Sequence, residues 1–158
     1  MTPNEQLIDQ FYTSFGKKDF QGMQHCYADS AIFNDAVFKH LNAEQVKAMW
    51  QMLLSRSGDL KIVHRDVREK EGLVTAHWEA SYTFTATGNK VVNKIDAEFE
   101  IQDGKIVRHT DHFNFYNWAK QAFGGGGFLL GWTKFFREKV TATAMKKLEE
   151  YRSKVNLR

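Results

Sequence analysis

Two aspartates and one histidine occupy positions where the surrounding pattern calls for apolar side chains, and these residues have chemistry to offer. Asp35 closes the apolar run Ala31-Ile32-Phe33 in YADSAIFNDAVF and lies among Phe33, Val37 and Phe38. Asp111 follows His109 by two positions in KIVRHTDHFNF, so on an extended strand both point to one face, with Phe113 next along it. A carboxylate surrounded by aromatic rings resists ionisation, and its pKa rises towards values useful for proton transfer. His109 and Asp111 are close enough to share a proton or hold one water. Each also has a purely structural reading: Asp35 as the cap of a turn, His109–Asp111 as a satisfied polar pair in the core.

Other combinations carry less. His77-x-Glu79 is a second same-face pair, but its strand alternation turns it away from the core, and no HxxxH or HExxH spacing accompanies it, so no metal is expected. Cys26 stands beside His25, yet neighbours on a helix point in different directions, which argues against a thiol nucleophile. With Cys26 the one cysteine, no internal disulfide is possible. The net charge of +3 is too small to imply nucleic acid by itself. It is uneven, however: from Leu129 to Arg158 eight Lys/Arg stand against three Asp/Glu. No nucleic-acid motif accompanies that surplus, and nucleic-acid binding is not expected.

The elements that must position these residues follow from periodicity. Thr2, Pro3 and Glu5 form a capping box, after which Leu7, Ile8, Phe11, Tyr12 and Phe15 fall three and four apart until Gly16. Asp19 caps a shorter helix carrying Phe20, Met23, Gln24 and Tyr27 on one side. A third helix starts at Asn42 with an apolar stripe of Val46, Met49, Trp50, Leu53 and Leu54, stopped by Ser57-Gly58. From Leu60 the period changes to two. Leu60–Arg68 reads as a strand, followed by a Glu71-Gly72 turn. Val74, Ala76, Trp78, Ala80, Tyr82 and Phe84 then share the inward face of the next strand. After Gly88-Asn89, Ile95, Ala97, Phe99 and Ile101 face inward, and Asp103-Gly104 signals a hairpin into a last strand, Lys105–Phe115. Helices first and a meander of antiparallel strands after them predict an α+β fold with helices covering one side of a curved sheet.

Gly124–Gly127 reads as a flexible joint to a C-terminal helix on which Trp132, Phe136, Val140, Ala144 and Leu148 recur every fourth residue. FLLGWTKFF beside basic residues has the composition of a membrane-surface element. The continued four-residue spacing and the dilution of the charge instead favour docking on the domain itself or on a dimer partner, partly over a cavity mouth. No apolar run approaches the ~20 residues that span a bilayer, and MTPNEQLIDQ lacks the basic flank and apolar core of a signal peptide. A cytoplasmic location is the expectation.

Three helices, a short strand ending in Asp and a long curved meander resemble the nuclear transport factor 2-like superfamily, which includes ketosteroid isomerases, limonene epoxide hydrolases and SnoaL-like polyketide cyclases. KKDFQGMQHCYADSAIFNDAVF is similar to the ketosteroid-isomerase segment that ends in the general base, placing that role on Asp35. DGKIVRHTDHFNFYNW is similar to the strand ending of the epoxide hydrolases and SnoaL-like proteins, whose acid corresponds to Asp111. With TAHWEASYTFTATG and GGGGFLLGWTKFF, the chain most resembles bacterial SnoaL-like proteins. The isomerases carry an oxyanion-hole Tyr where this chain has Phe11, and the Arg-x-Asp of the epoxide hydrolases corresponds to His77-x-Glu79.

The resemblance implies a cone-shaped domain over 1–123 with a helical extension over 124–158. It further implies a homodimer paired through outer sheet faces and an apolar cavity lined by Phe11, Phe15, Phe33, Trp50, Trp78, Tyr82, Phe99 and Phe113. Asp35, His109 and Asp111 would be the polar groups of that cavity. Its use would be either acid–base chemistry on a small hydrophobic molecule without a cofactor, or binding without turnover.

Overall fold

The computed structural model describes residues 1–56 and 58–156. Three helices lead: α1 (Pro3–Gly16), α2 (Phe20–Gln24) and, after strands β1 (Tyr27–Asn34) and β2 (Leu41–Asn42), α3 (Ala43–Ser55). Four strands follow, β3 (Lys61–Lys70), β4 (Leu73–Phe84), β5 (Asn89–Gln102) and β6 (Lys105–His112). The chain ends in α4 (Phe115–Phe123), α5 (Gly125–Leu130) and α6 (Lys134–Asn156). The six strands form one open, curved sheet in the order β2-β1-β6-β5-β4-β3, with the core between its concave face and the helices.

The local signals act as their chemistry requires. The Thr2 hydroxyl accepts from the Glu5 N–H at 3.1 Å while a Glu5 carboxylate oxygen accepts from the Thr2 N–H at 2.8 Å. The other Glu5 oxygen accepts from the Glu69 N–H, which ties the start of α1 to β3. Asp19 and Asn42 cap α2 and α3. The curvature of the sheet comes with register breaks. Asp66, at a φ of 59°, lies in the break between Arg65 and Arg68 of β3, and a second break separates Glu100 from Ile101 where β5 meets β6.

Several expectations change. Leu53 is exposed, and Ala43 joins the buried stripe of α3 in its place. That helix closes at Ser55; the Ser57 half of the expected stop lies outside the described residues. The sheet is not wholly antiparallel, because β1 pairs in parallel with β6. Strand β6 stops at His112 rather than running to Phe115: the Asn114 side chain accepts from the Asn117 N–H at 3.0 Å and starts α4. Helix α4 covers the part of β5 that β6 leaves unpaired. There the Gln121 carboxamide accepts from the Val92 N–H and donates to the Val92 carbonyl, as a neighbouring strand would.

The C-terminal segment docks in part. Phe136 and Val140 pack against Phe115, Trp118 and Phe123, while Met145 and Leu148 reach the main core, so α6 bridges α4 and α3. Phe128, Leu129, Leu130, Trp132 and Phe135 do not dock; they are 53–78% exposed. Nor do the four glycines form a loose joint. Helix α5 begins at Gly125, and Gly127 packs so tightly that a Cβ there would stand 1.9 Å from the Ala119 carbonyl oxygen of α4.

This packing separates the glycines by experiment. Gly127→Ala should destabilise the fold by about 1–3 kcal/mol through overpacking against backbone. Gly126→Ala, which meets nothing within 4 Å, should be neutral or stabilising by up to about 1 kcal/mol. Urea denaturation of the two variants checks this, and equal midpoints would restore the flexible-joint reading.

Candidate functional site

The centre of the cone holds a continuous chain of hydrogen bonds. Trp50 on α3 donates its Nε1–H to the Tyr27 hydroxyl at 2.9 Å, and that hydroxyl lies 2.8 Å from His109 Nδ1. His109 Nε2 lies 2.9 Å from Asp111 Oδ1, which also accepts from Trp78 Nε1 of β4 at 3.3 Å. Indole can only donate, so the Tyr27 oxygen accepts from Trp50 and Asp111 Oδ1 accepts from Trp78. The two nitrogens of His109 join the Tyr27 hydroxyl to the Asp111 carboxyl group.

Rings enclose this line. The Phe99 ring stacks on His109 with centroids 4.2 Å apart, a consequence of their direct pairing across β5 and β6. Phe33 and Phe11 meet the imidazole edge-on at 4.9 and 5.7 Å. Phe15 packs between Trp50 and Trp78. His109 and Asp111 are 1% and 4% exposed. Six of the eight rings expected to line a cavity thus surround the polar pair and pack on one another. Tyr82 and Phe113 lie further out, between this core and the α4 cluster, where the Tyr82 hydroxyl accepts from Trp118 Nε1 at 2.8 Å. Two shallow, open concavities lie on the surface. One, of about 550 Å³, runs along Phe113, Phe115, Tyr116, Trp132 and Arg137, and the other, of about 370 Å³, lies between α3 and α6. Neither is lined by Asp35, His109 or Asp111.

Two tyrosines complete the site, and the sequence pattern did not single out either as a polar group. Tyr27 links Trp50 to His109. Tyr12, one residue beyond Phe11, is 1% exposed, and its hydroxyl has no hydrogen-bond partner among the described residues. Its ring tilts against Trp78 at 6.0 Å and stacks on His64, whose Nε2 is 2.8 Å from Asp9 Oδ1. Burial pushes both phenols well above the ordinary tyrosine pKa, and the negative field of Asp111 adds to the rise. Both remain protonated donors. The visible signal for Tyr12 was its place in the buried stripe of α1, which reads equally as packing.

Asp35 sits just past β1, partly buried. Its Oδ1 accepts from the backbone N–H groups of Val37 and Phe38 at 2.7 and 2.6 Å, so the turn-capping reading holds. Burial, aided by nearby Asp111, pushes its carboxyl up to about 6 against the pull of those two donors. Elsewhere, His77 is on the outer sheet face, each nitrogen 2.9 Å from a carboxylate oxygen of Asp96 or Glu79, and these bonds raise its pKa. Cys26 is buried, its thiol pushed up to about 11 by burial and donating to the Gly22 carbonyl, which leaves it no nucleophilic character.

The comparisons agree with this geometry. The SnoaL-like domain family matches residues 8–109, well over half of the chain, and the protein belongs to that family. No curated protein matches the sequence. Among solved structures, the chain is similar to a proposed polyketide cyclase from Xanthomonas campestris pv. campestris, at 20% identity and a TM-score of 0.64 over 76% of this chain and 96% of that one. It is also similar to an epoxide hydrolase of the limonene type from M. tuberculosis, at 16% and 0.65 over 82% and 96%. A proposed polyketide cyclase from Streptomyces antibioticus aligns at 18% and 0.63 over 77% and 98%. At such identities the shared property is the fold, NTF2-like in each case.

Asp35 makes a pH prediction. Its folded pKa lies above the free value of 3.8, so the stability linked to it is fully present below pH ~4 and is lost as pH rises through about 6. Asp35→Asn keeps an acceptor for Val37 and Phe38 but cannot ionise. The variant should gain on the order of 1 kcal/mol over wild type at pH 8, and the difference should shrink towards zero near pH 4. Urea midpoints at both pH values measure it; a wild type that gains on the variant at pH 8 refutes the burial argument.

Proposed function

We propose that this SnoaL-like protein performs acid–base chemistry on a small hydrophobic carbonyl compound, with Asp111 as the base. The observation that carries the proposal is the asymmetry of the Asp111 carboxylate. Oδ1 takes bonds from both His109 and Trp78, while Oδ2 has no partner among the described residues. Oδ2 is thus the oxygen available for a proton. Tyr12 supplies the complementary feature, a buried phenol whose proton is unspent.

In this reading Oδ2 removes a proton from the carbon beside a substrate carbonyl, and the carbonyl oxygen, as it gains charge, accepts from the Tyr12 hydroxyl. The proton then returns to another carbon, or the enolate carbon attacks a second carbonyl within the same molecule, closing a ring as that carbonyl's π bond breaks, and the new alkoxide takes the proton back from Asp111. His109 acts as a positioning residue, holding the carboxylate plane and supporting its charge. Asp35 stands behind as a second, partly protonated acid in the field of Asp111. The neighbours described as proposed polyketide cyclases support a polycarbonyl substrate class.

The second reading, a ligand-binding protein without turnover, is favoured by the packing of Phe11, Phe33 and Phe99 against His109. Asp111 is itself 4% exposed, so substrate reaches it only if the surrounding core opens.

Deuterium exchange beside the carbonyl of small aromatic and cyclic β-diketones, followed by NMR, decides between the readings. Wild type should accelerate exchange. Asp111→Asn should lose about 10²–10⁴ of that acceleration, and Tyr12→Phe about 10²–10³. Ketone binding with no exchange favours the second reading, and exchange undiminished in Asp111→Asn removes Asp111 from the base role.

We also place a homodimer contact on the outer face of the sheet, where exposed Val63 and Val92 flank the His77–Glu79–Asp96 cluster. Sedimentation should show dimer at micromolar concentration, and monomer alone would withdraw the assignment.

A further inference from the structure

Helix α5 is built inside out. Gly127 and Gly131, one turn apart, are buried against Ala119 of α4, and a Cβ on either would collide there or with backbone. The large apolar side chains between and beyond them therefore point outward: Phe128 is 62% exposed, Leu129 66% and Leu130 53%. Trp132 and Phe135 extend the same tip at 74% and 78%. An ordinary surface helix turns leucine inward and leaves small or polar residues to solvent. Here the arrangement is reversed, and two side-chain hydrogen bonds hold the tip in that state. The Tyr116 hydroxyl donates to the Phe128 carbonyl, and Trp132 Nε1–H donates to the Leu129 carbonyl.

The charges beside the tip identify what it meets. Between Tyr116 and Lys139 the basic residues are Lys120, Lys134, Arg137 and Lys139, and the acidic residue is Glu138. Lys120 lies over the Tyr116 ring and Arg137 over Phe115, which keeps both cations beside the apolar surface. A second copy of the chain docking tip to tip would bring a second set of these cations to the same contact, with one Glu138 from each copy to offset them. An anionic bilayer complements both features, with acyl chains for Phe128, Leu129 and Leu130, lipid phosphates for the cations, and the interfacial layer that tryptophan favours for Trp132.

We propose that the α5 tip is a docking surface for anionic lipid bilayers, inserting its apolar side chains to headgroup depth while the domain stays outside. No helix among the described residues is long and apolar enough to cross a membrane, so the attachment is peripheral. The tip borders the groove formed by Phe113, Phe115, Tyr116, Trp132 and Arg137, and docking brings that groove to the lipid surface.

The test uses the full chain with vesicles of phosphatidylcholine, with and without phosphatidylglycerol. Trp50 and Trp78 are buried and Trp118 nearly so, whereas Trp132 is open, which makes its emission the depth probe. The expected result is flotation with phosphatidylglycerol vesicles, a blue shift of emission that Trp132→Phe removes, and weakening by added salt. Leu129→Ser/Phe135→Ser should reduce partitioning at least tenfold, as should Lys134→Glu/Arg137→Glu. Both pairs are exposed, so folding checked by circular dichroism should be unchanged. No flotation with phosphatidylglycerol vesicles overturns the proposal. So does flotation that Leu129→Ser/Phe135→Ser leaves intact. A Trp132 emission already blue-shifted in buffer, rising with protein concentration, would show instead that the tip joins copies of the chain.

Discussion

A carboxyl group cannot be placed inside an aromatic core unless hydrogen-bond partners are brought to it, and that requirement at Asp111 organises the rest of the molecule. Trp78 and His109 are those partners. The other nitrogen of His109 is met by the Tyr27 hydroxyl, whose oxygen in turn accepts from Trp50. One buried carboxyl group thus commits side chains from α3, β1, β4 and β6. A hydrogen bond is worth roughly 0.5–1.5 kcal/mol net, and a buried group left unsatisfied costs about 1–3 kcal/mol. Loss of any member therefore acts twice, once at its own bond and once at the partner it abandons.

Strand register delivers this chain. Beside Val107 the ladder slips, so that Ile106 pairs with Ile101 while Arg108 pairs with Glu100. The slip puts Ile106 into the core at one end and still turns His109 and Asp111 inward at the other. Parallel pairing of β1 with β6 sets Phe33 beside His109 and brings Tyr27 within reach of its ring. That contact joins residues 82 apart in sequence, so the site forms only when the sheet does.

Much of this was legible in the chain. Alternation identified the inward faces of β4 and β5, the Thr2–Glu5 capping box placed α1, Asn42 marked the start of α3, and inward-facing polar residues marked His109 and Asp111. What escaped has definite physical causes. Val107 reads as inward by strict alternation, because a bulge leaves no mark in a period of two. Tyr27 and Tyr12 look like core residues since a phenol ring satisfies an apolar pattern whatever its hydroxyl does. Helix α4 was hidden by Phe113 and Phe115, which continue the strand alternation two residues past the Asn114 that ends it. The turn role of Asp35 and its burial-raised pKa turn out to be compatible, since Val37 and Phe38 both bond to Oδ1 and leave Oδ2 without a hydrogen-bond partner among the described residues.

The glycine run shows the same limit in another form. Four consecutive glycines and a following FLLGW have the composition of a flexible link to an apolar segment, and composition counts side chains without saying which way they face. In the structure the glycines serve as the packing surface, because α5 approaches α4 more closely than any Cβ would permit. Once the inner face is glycine, the outer face must carry whatever apolar residues remain, and Phe128, Leu129 and Leu130 are driven into the open by the geometry that holds the helix down. The exposed tip and the close α4–α5 contact are therefore one feature. The residues that anchor it are distinct from those that would meet a partner, so the tip can lose its apolar character by substitution without loss of the fold beneath it.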